Sequence, residues 1–393
     1  MDLASMLERE DFFSSFFPTV EKYFSEALNI DITFSFAANR KNCNMVIKPR
    51  LSAASSINIS EKAREFYYSE WNIRNSLLKN FIAKAYVFFI TRTRGAFSQF
   101  RFTLMPEPDN IRDIIIAPNN RSVRIFDYRN DVVGCVIKEG FTDKFFRNQI
   151  TFRKTYCYDF ILPILSYGND WFQEAIMHGH PLARITNEGL YQKAIKVAIN
   201  NMRLLAKDTL QYIDCYEYVL NLQQQILQMT NIAETKKKII YATETYRIVE
   251  FAVREAMLFK KAVPTVMSHG DFQSGNIWVD QQEKVWIYDW ETAGRRSIWY
   301  DTSVLSYSLR RHYGWKELMD IEAPSNMTLC DIDYSNYSSE QYRGIKGIVL
   351  LEDLVFYLED MLELPENWGV ELFDAFIKRI IEIEKVKNSI DVR

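Results

Sequence analysis

The sequence predicts an α+β protein in which a small antiparallel sheet precedes a large, mainly helical part. Two observations carry this. Three short β-branched runs, Asp113–Pro118 (DIIIAP), Val123–Tyr128 (VRIFDY) and Val132–Lys138 (VVGCVIK), are separated only by the polar stretches 119–121 and 129–131, the signature of an antiparallel meander. From Asn187 to Lys261 the chain then keeps helical periodicity with no internal proline.

The remaining elements follow in order. Asp11–Leu28 carries Phe12, Phe13, Phe16, Phe17, Val20, Tyr23 and Phe24 at helical spacing, and Ser60 with Glu61 starts a second helix running through Ala83. Between them Arg40, Lys41, Lys48 and Arg50 mark a solvated loop. After the meander, Thr142–Tyr156 reads as an amphipathic helix, and Phe160–Tyr167 and Trp171–Met177 as two further strands. This is a five-strand sheet with one helix inserted after its third strand. Long helices are expected over Leu190–Leu227 and Ala233–Phe259. A hairpin is expected from Ile277–Val279 and Val285–Tyr288 around the turn Asp280–Lys284, and mainly helix from Thr302 onward. The expected organisation is an N-terminal extension over 1–110, a small lobe over 111–180 and a helical lobe over 181–393.

The 393 residues are 48% hydrophobic and 25% charged, enough for ordinary packed cores. Net charge is −3, from 48 basic and 51 acidic residues, which argues against nucleic-acid binding through bulk charge. Aromatic content is 15%, and its plain reading is a core rich in rings. Five widely spaced cysteines without a CxxC pair argue against a disulfide framework or zinc site and fit a reducing compartment. The start, MDLASMLEREDFF, is acidic where a secretory leader is basic, and the longest apolar stretches, such as Ala85–Ile90, are too short to span a bilayer. A cytoplasmic chain with no membrane span and no nucleic-acid partner is expected; its oligomeric state is left open.

The stretch Ser268–Gln281 (SHGDFQSGNIWVDQ), followed by Val285–Arg295 (VWIYDWETAGR), carries the chemistry. Asp271 follows Gly270, whose missing side chain permits an unusual turn. Asn276 lies five residues on and leads into an apolar strand, and Asp289 ends the partner strand eighteen residues after Asp271. A hairpin brings the base of one strand beside the end of the other, so Asn276 and Asp289 converge. An amide oxygen with a carboxylate suits Mg²⁺, which takes hard oxygen ligands and shares them with phosphates. Asp271 is then placed to orient a hydroxyl and accept its proton.

The pattern H-G-D-x-x-x-x-N, then apolar-apolar-D-x-E, resembles the aminoglycoside phosphotransferase and choline kinase superfamily, small-molecule relatives of protein kinases. The resemblance implies a protein-kinase-like two-lobe fold, with a small antiparallel-sheet N-lobe and a large helical C-lobe, and ATP with Mg²⁺ as cofactors. It implies Asp271 as catalytic base and Asn276 and Asp289 as metal ligands. His269 becomes the histidine that stabilises the loop, Glu291 a supporting carboxylate, and Asp301 the buried residue tying the loop to the next helix.

The same resemblance implies a lysine on the third strand that holds nucleotide phosphates, and Lys138 stands there. The glutamate expected to pair with it on the following helix is replaced by Gln149, which can hydrogen-bond but not neutralise. The turn over the nucleotide, Pro118–Ser122, contains no glycine; Asn119 and Asn120 would offer donors and Arg121 charge. Glu174–Leu182 resembles the hinge, with Glu174 and Ile176 at the nucleotide, and His178 and His180 are read as hinge residues rather than metal ligands.

Glu352, Asp353, Glu359, Asp360, Glu363, Glu366, Glu371 and Asp374 form an acidic run. It reads either as a solvated helix face or as a surface for a cationic acceptor. Gln273 stands where protein kinases carry a lysine, which favours a small-molecule hydroxyl over a protein substrate. The expected reaction is transfer of the γ-phosphoryl group of ATP to a sugar, amino sugar or amino alcohol. An aminoglycoside-resistance kinase and a nucleotide-binding pseudokinase serving as a partner-binding module are the alternatives.

Overall fold

The computed structural model describes residues 15–37, 43–48, 53–70, 77–93, 96–98, 100–119, 121–239, 241–311, 313–320, 337–364 and 369–390. The chain forms two compact units, residues 1–191 with 279–286, and residues 192–278 with 287–393.

The first unit is built on an antiparallel sheet. The meander is present as β5 (Ile114–Pro118), β6 (Ser122–Asp127) and β7 (Val132–Ile137), in the register Ile116↔Ile125 and Ile125↔Gly134. The helix α4 (Lys144–Thr155) follows, and β9 (Trp171–Ala175) returns to pair with β7. This is the order of three strands, one helix and a returning strand that the sequence predicts. Of the apolar run Phe160–Tyr167 only β8 (Ser166–Tyr167) is strand; Phe160, Ile161 and Leu162 are buried in irregular backbone.

The sheet is larger than five strands. Ahead of the meander lie β1 (Thr33–Phe36), β2 (Met45–Ile47), β3 (Ala54–Ser56) and β4 (Phe100–Met105), giving nine strands in the order β1-β4-β2-β3-β5-β6-β7-β9-β8. Alternation explains the DIIIAP run. Ile114 and Ile116 join one core with Phe17, Val20, Tyr23 and Phe24 of α1 (Phe17–Leu28), while Ile115 joins another with Ala63 and Tyr67 of α2 (Glu61–Glu70) and Val87 and Ile90 of α3 (Leu77–Arg92). A strand covered on both faces reads as a continuous apolar run, and each fully buried Phe, Val or Ile contributes about 1.5–3 kcal/mol. The α1 helix lies so close to β7 that a Cβ on Gly134 would fall 2.1 Å from the Tyr23 ring. Asp11–Phe13 of the expected first helix lie outside the described residues. Lys48, expected in a solvated loop, is instead 2% exposed and donates to the Ile90 carbonyl oxygen.

The second unit is mainly helical. The long stretch from 188 breaks into α5 (Glu188–Thr209) and α6 (Cys215–Thr235), with the three-residue strand β11 (Gln211–Ile213) between them; α7 (Ala242–Ala256) follows. Asp214 caps α6, its side chain accepting from Tyr216 and Glu217 N–H. The core helix is α10 (Ser339–Glu363), opened by a Ser338–Gln341 capping box and packed against α6 and α7. Around it lie α8 (Tyr300–Ser306), α9 (Gly314–Asp320) and α11 (Val370–Ile390). β12 (Val263–Ser268) pairs with β11 and with β15 (Gly294–Ser297) and delivers the chain directly to His269. The expected hairpin is β13 (Ile277–Asp280) and β14 (Val285–Ile287).

Candidate active site

The loop from His269 to Asn276 is fixed from below by Asp301, at the start of α8. Asp301 is fully buried and accepts from the backbone N–H of His269 (2.8 Å) and Gly270 (3.0 Å) and from the Ser268 hydroxyl (2.9 Å). Three donors on one buried carboxylate account for its burial. Gly270 adopts φ +84°, and a Cβ there would lie 2.4 Å from the Thr292 carbonyl oxygen. Only glycine turns the chain there without strain or collision.

His269 is fully buried and structural. Its Nδ1 accepts the Asp271 N–H at 3.2 Å, so Nε2 carries the hydrogen and donates to Tyr288 O at 2.7 Å. Its ring packs on Trp290, with centroids 4.6 Å apart.

Asp271 is half-buried, and both of its oxygens are addressed. Oδ2 accepts from Gln273 Nε2 (2.7 Å) and Asn276 Nδ2 (2.9 Å), and Oδ1 accepts from Arg310 Nε (2.8 Å). Asn276 Nδ2 also donates to the Asp271 carbonyl oxygen at 2.9 Å. The amide nitrogen is thereby committed to Asp271, which leaves Oδ1 of Asn276 as the atom a metal could take. Across the hairpin, Tyr288 N–H donates to Asn276 O at 2.8 Å. The structure therefore places Asp289 directly after the residue bonded to Asn276, as the spacing implies. Asp289 itself adopts φ +67°, ψ +59°, a conformation that non-glycine residues take up rarely. Glu291 follows in the short turn Trp290–Thr292.

Among the described residues no group of three or more His, Cys, Asp or Glu could enclose a metal ion. The amide and carboxylate of Asn276 and Asp289 fit Mg²⁺ of the kind that shares its coordination with phosphate oxygens and water.

Arg310 escaped the sequence reading. Its guanidinium bonds Asp271, Asp353 Oδ1 (NH1, 2.5 Å), Gly270 O and the Tyr300 hydroxyl (NH2, both 3.0 Å), and stacks 3.8 Å from the Phe356 ring centroid. Asp353, fully buried on α10, also accepts Tyr300 OH (2.8 Å) and Trp315 Nε1 (2.9 Å). The only sequence signal was a carboxylate inside the apolar helix run 344–358. The acidic run thus divides: Glu352, Asp353 and Asp374 are buried, and Glu366 lies outside the described residues.

In the first unit, Lys138 is 1% exposed at the end of β7, and its N–H donates to Arg121 O at 3.0 Å. Asn119 N–H donates to Ser122 O at 2.7 Å, closing the turn at the same end of the sheet; Asn120 lies outside the described residues. Arg121 covers the Phe145 ring at 4.1 Å. Gln149 is buried on α4, one turn before Arg153, whose NH1 lies 2.6 Å from Glu174 Oε2. Glu174 is fully buried, so its side chain serves this internal ion pair. Ile176 N–H donates to Asp131 O at 3.0 Å, and His178 Nε2 lies 2.7 Å from Asp131 Oδ1.

No protein-family model matches the chain, and no curated protein matches it. Among solved structures it is similar to an ethanolamine kinase of Plasmodium vivax, with 15% identity, 82% of this chain and 93% of that chain covered, and a TM-score of 0.43. It is similar to a choline kinase of Cryptosporidium parvum, with 10% identity over 71% of this chain and 91% of that one, at a TM-score of 0.43. It is also similar to the aminoglycoside phosphotransferase APH(4)-Ia, with 13% identity over 68% and 93%, at a TM-score of 0.42. No helix among the described residues is long and apolar enough to cross a membrane.

Proposed function

We propose that the protein is an ATP- and Mg²⁺-dependent phosphotransferase that phosphorylates a hydroxyl group of a small molecule of the sugar, amino sugar or amino alcohol class. The carrying observation is the Asp271–Asn276 arrangement. One amide side chain holds the candidate base by its carbonyl and carboxylate oxygens, and its backbone oxygen holds the peptide leading to Asp289. Asp271, Asn276 and the backbone leading into Asp289 are thereby joined at one hairpin base, which supports reading them as the groups that phosphoryl transfer would use.

In this reading Asp271 orients the acceptor hydroxyl and takes its proton. Gln273, Asn276 and Arg310 fix its carboxylate in place. That suits phosphoryl transfer, where the transition state is loose and positioning counts for more than proton abstraction. Asn276 Oδ1 and the Asp289 carboxylate would hold Mg²⁺, which neutralises charge on the nucleotide phosphates when bound. Lys138 is the proposed phosphate contact in the first unit, with Asn119 at the neighbouring turn. Glu174 contributes through its pair with Arg153, which holds α4 against β9.

Phosphate transfer from ATP-Mg²⁺ across a panel of sugars, amino sugars and amino alcohols tests this. Asp271→Ala should lower turnover by about 10²–10⁴-fold while ATP still stabilises the protein thermally. Absence of stabilisation by any nucleotide would sink the reading.

A further inference from the structure

The surroundings of Arg310 bear on which acceptor this site takes. Two carboxylates, Asp271 and Asp353, and three aromatic rings converge on one point. The ring centroids of Phe356, Tyr357 and Tyr300 lie 3.8, 5.4 and 6.0 Å from the Arg310 guanidinium carbon. Rings and carboxylates in this combination form the kind of cage that receives an organic ammonium ion. Here the chain fills it with its own cation. The guanidinium makes four hydrogen bonds, to Asp271 Oδ1, Asp353 Oδ1, Gly270 O and Tyr300 OH, and its side chain is only 12% exposed. Trp315 Nε1 and Tyr300 OH complete the shell of Asp353, so no carboxylate of the cage is left for a second cation.

Glu352 and Asp353 of the acidic run offer no substitute. Glu352 is buried and accepts from Ser297 and Tyr218, and Asp353 belongs to Arg310. An acceptor hydroxyl in hydrogen-bond reach of Asp271 has the Arg310 guanidinium as its neighbour, because both address the same carboxylate.

We propose that Arg310 is the specificity residue of this site, and that the acceptor is uncharged or anionic around its reacting hydroxyl, a polyol or sugar rather than an amino alcohol or amino sugar. This rests on Asp271 being the base. A cation beside the hydroxyl would find Asp271 and Asp353 already paired with Arg310, and a partly desolvated charge left without its own partner is a strong means of rejecting a ligand.

The test has two arms. In the first, wild type, Arg310→Ala and Arg310→Lys are titrated with choline chloride and tetramethylammonium chloride against sodium chloride at equal ionic strength, by calorimetry and thermal shift. Wild type and Arg310→Lys should show no saturable binding, and Arg310→Ala should gain it. Saturable cation binding by wild type, or none by a folded Arg310→Ala, overturns the proposal. If Arg310→Ala does not fold, the wild-type titration still decides, because a wild type that takes up choline has its cage open. In the second arm, paired acceptors such as glucose and glucosamine are compared in ATP-Mg²⁺ transfer, and kcat/KM should favour the uncharged member by about tenfold or more. A preference for the amine overturns the proposal. If no acceptor turns over, the proposed activity fails, while the binding arm still judges the cage.

Discussion

His269 Nε2 donates to Tyr288 O at 2.7 Å, and that bond fixes the peptide plane immediately ahead of Asp289. Asp289 sits at φ +67°, a conformation costing about 1–3 kcal/mol that persists only when its surroundings impose it. The same imidazole accepts the Asp271 N–H, so one buried ring sets the backbone on either side of the hairpin. Both ring nitrogens of the histidine are thus engaged with backbone groups.

Replacing His269 by alanine should therefore leave Tyr288 O and the Asp271 N–H without partners, each at a cost of about 1–3 kcal/mol. Urea unfolding should show a loss of that order. Mg²⁺ dependence should weaken alongside it, because Asp289 is released from its strained conformation. Wild-type stability in His269→Ala would show that the ring is a bystander.

Gly270→Ala is a sharper probe of the same loop. The added Cβ meets the Thr292 carbonyl oxygen at 2.4 Å and Arg296 NH1 at 2.6 Å, on a backbone at φ +84°. The left-handed conformation alone costs about 1–2 kcal/mol in an L residue, and the collision adds to it. Activity should fall much further than nucleotide binding, since Asp271 is the next residue; an equal fall in both would point to general unfolding.

Residue spacing made the hairpin base legible: positions 271, 276 and 289 lie on one short run whose geometry a β-hairpin dictates. Arg310 was not legible, because its meaning depends on Asp353, 43 residues further on, and Asp353 read as one carboxylate among several on a helix. β2, β3 and β11, with three residues each, are too short to display a period of two, so the sequence shows neither the first two of these strands nor the break between α5 and α6. Phe160–Leu162 is apolar enough for a strand but serves as buried loop. The ion pair of Glu174 was not legible either, because Arg153 sits on another element and no local pattern joins them.

That pair yields a prediction of its own. Arg153 and Glu174 are both almost wholly inside, with NH1 2.6 Å from Oε2, and Arg153 also donates to Leu162 O from Nε at 2.9 Å. Arg153→Met alone removes the charge partner of a buried carboxylate and should destabilise the protein by about 3–5 kcal/mol. The double variant Arg153→Met/Glu174→Leu removes both charges and should recover most of the loss. If the two single variants simply add, the residues do not act as a pair.

The last prediction concerns pH. Burial pushes the Glu352 carboxyl up to about 7, against the opposing pull of its donors, Ser297 N–H, Tyr218 OH and Ser297 OH. The unfolded chain ionises this group near 4.5. Below that value both states are protonated and the group imposes no penalty. Between 4.5 and about 7 the unfolded state has lost its proton while the folded state retains it, so stability falls as pH rises through this window; above it the loss is complete. A shift of this size corresponds to at most about 3.5 kcal/mol, at about 1.4 kcal/mol per pH unit. Glu352→Gln cannot ionise and should escape the decline. Urea unfolding of both proteins at pH 5 and pH 7.5 should therefore show the variant gaining on wild type as pH rises. Parallel pH dependences would mean that Glu352 is ionised in the folded protein throughout.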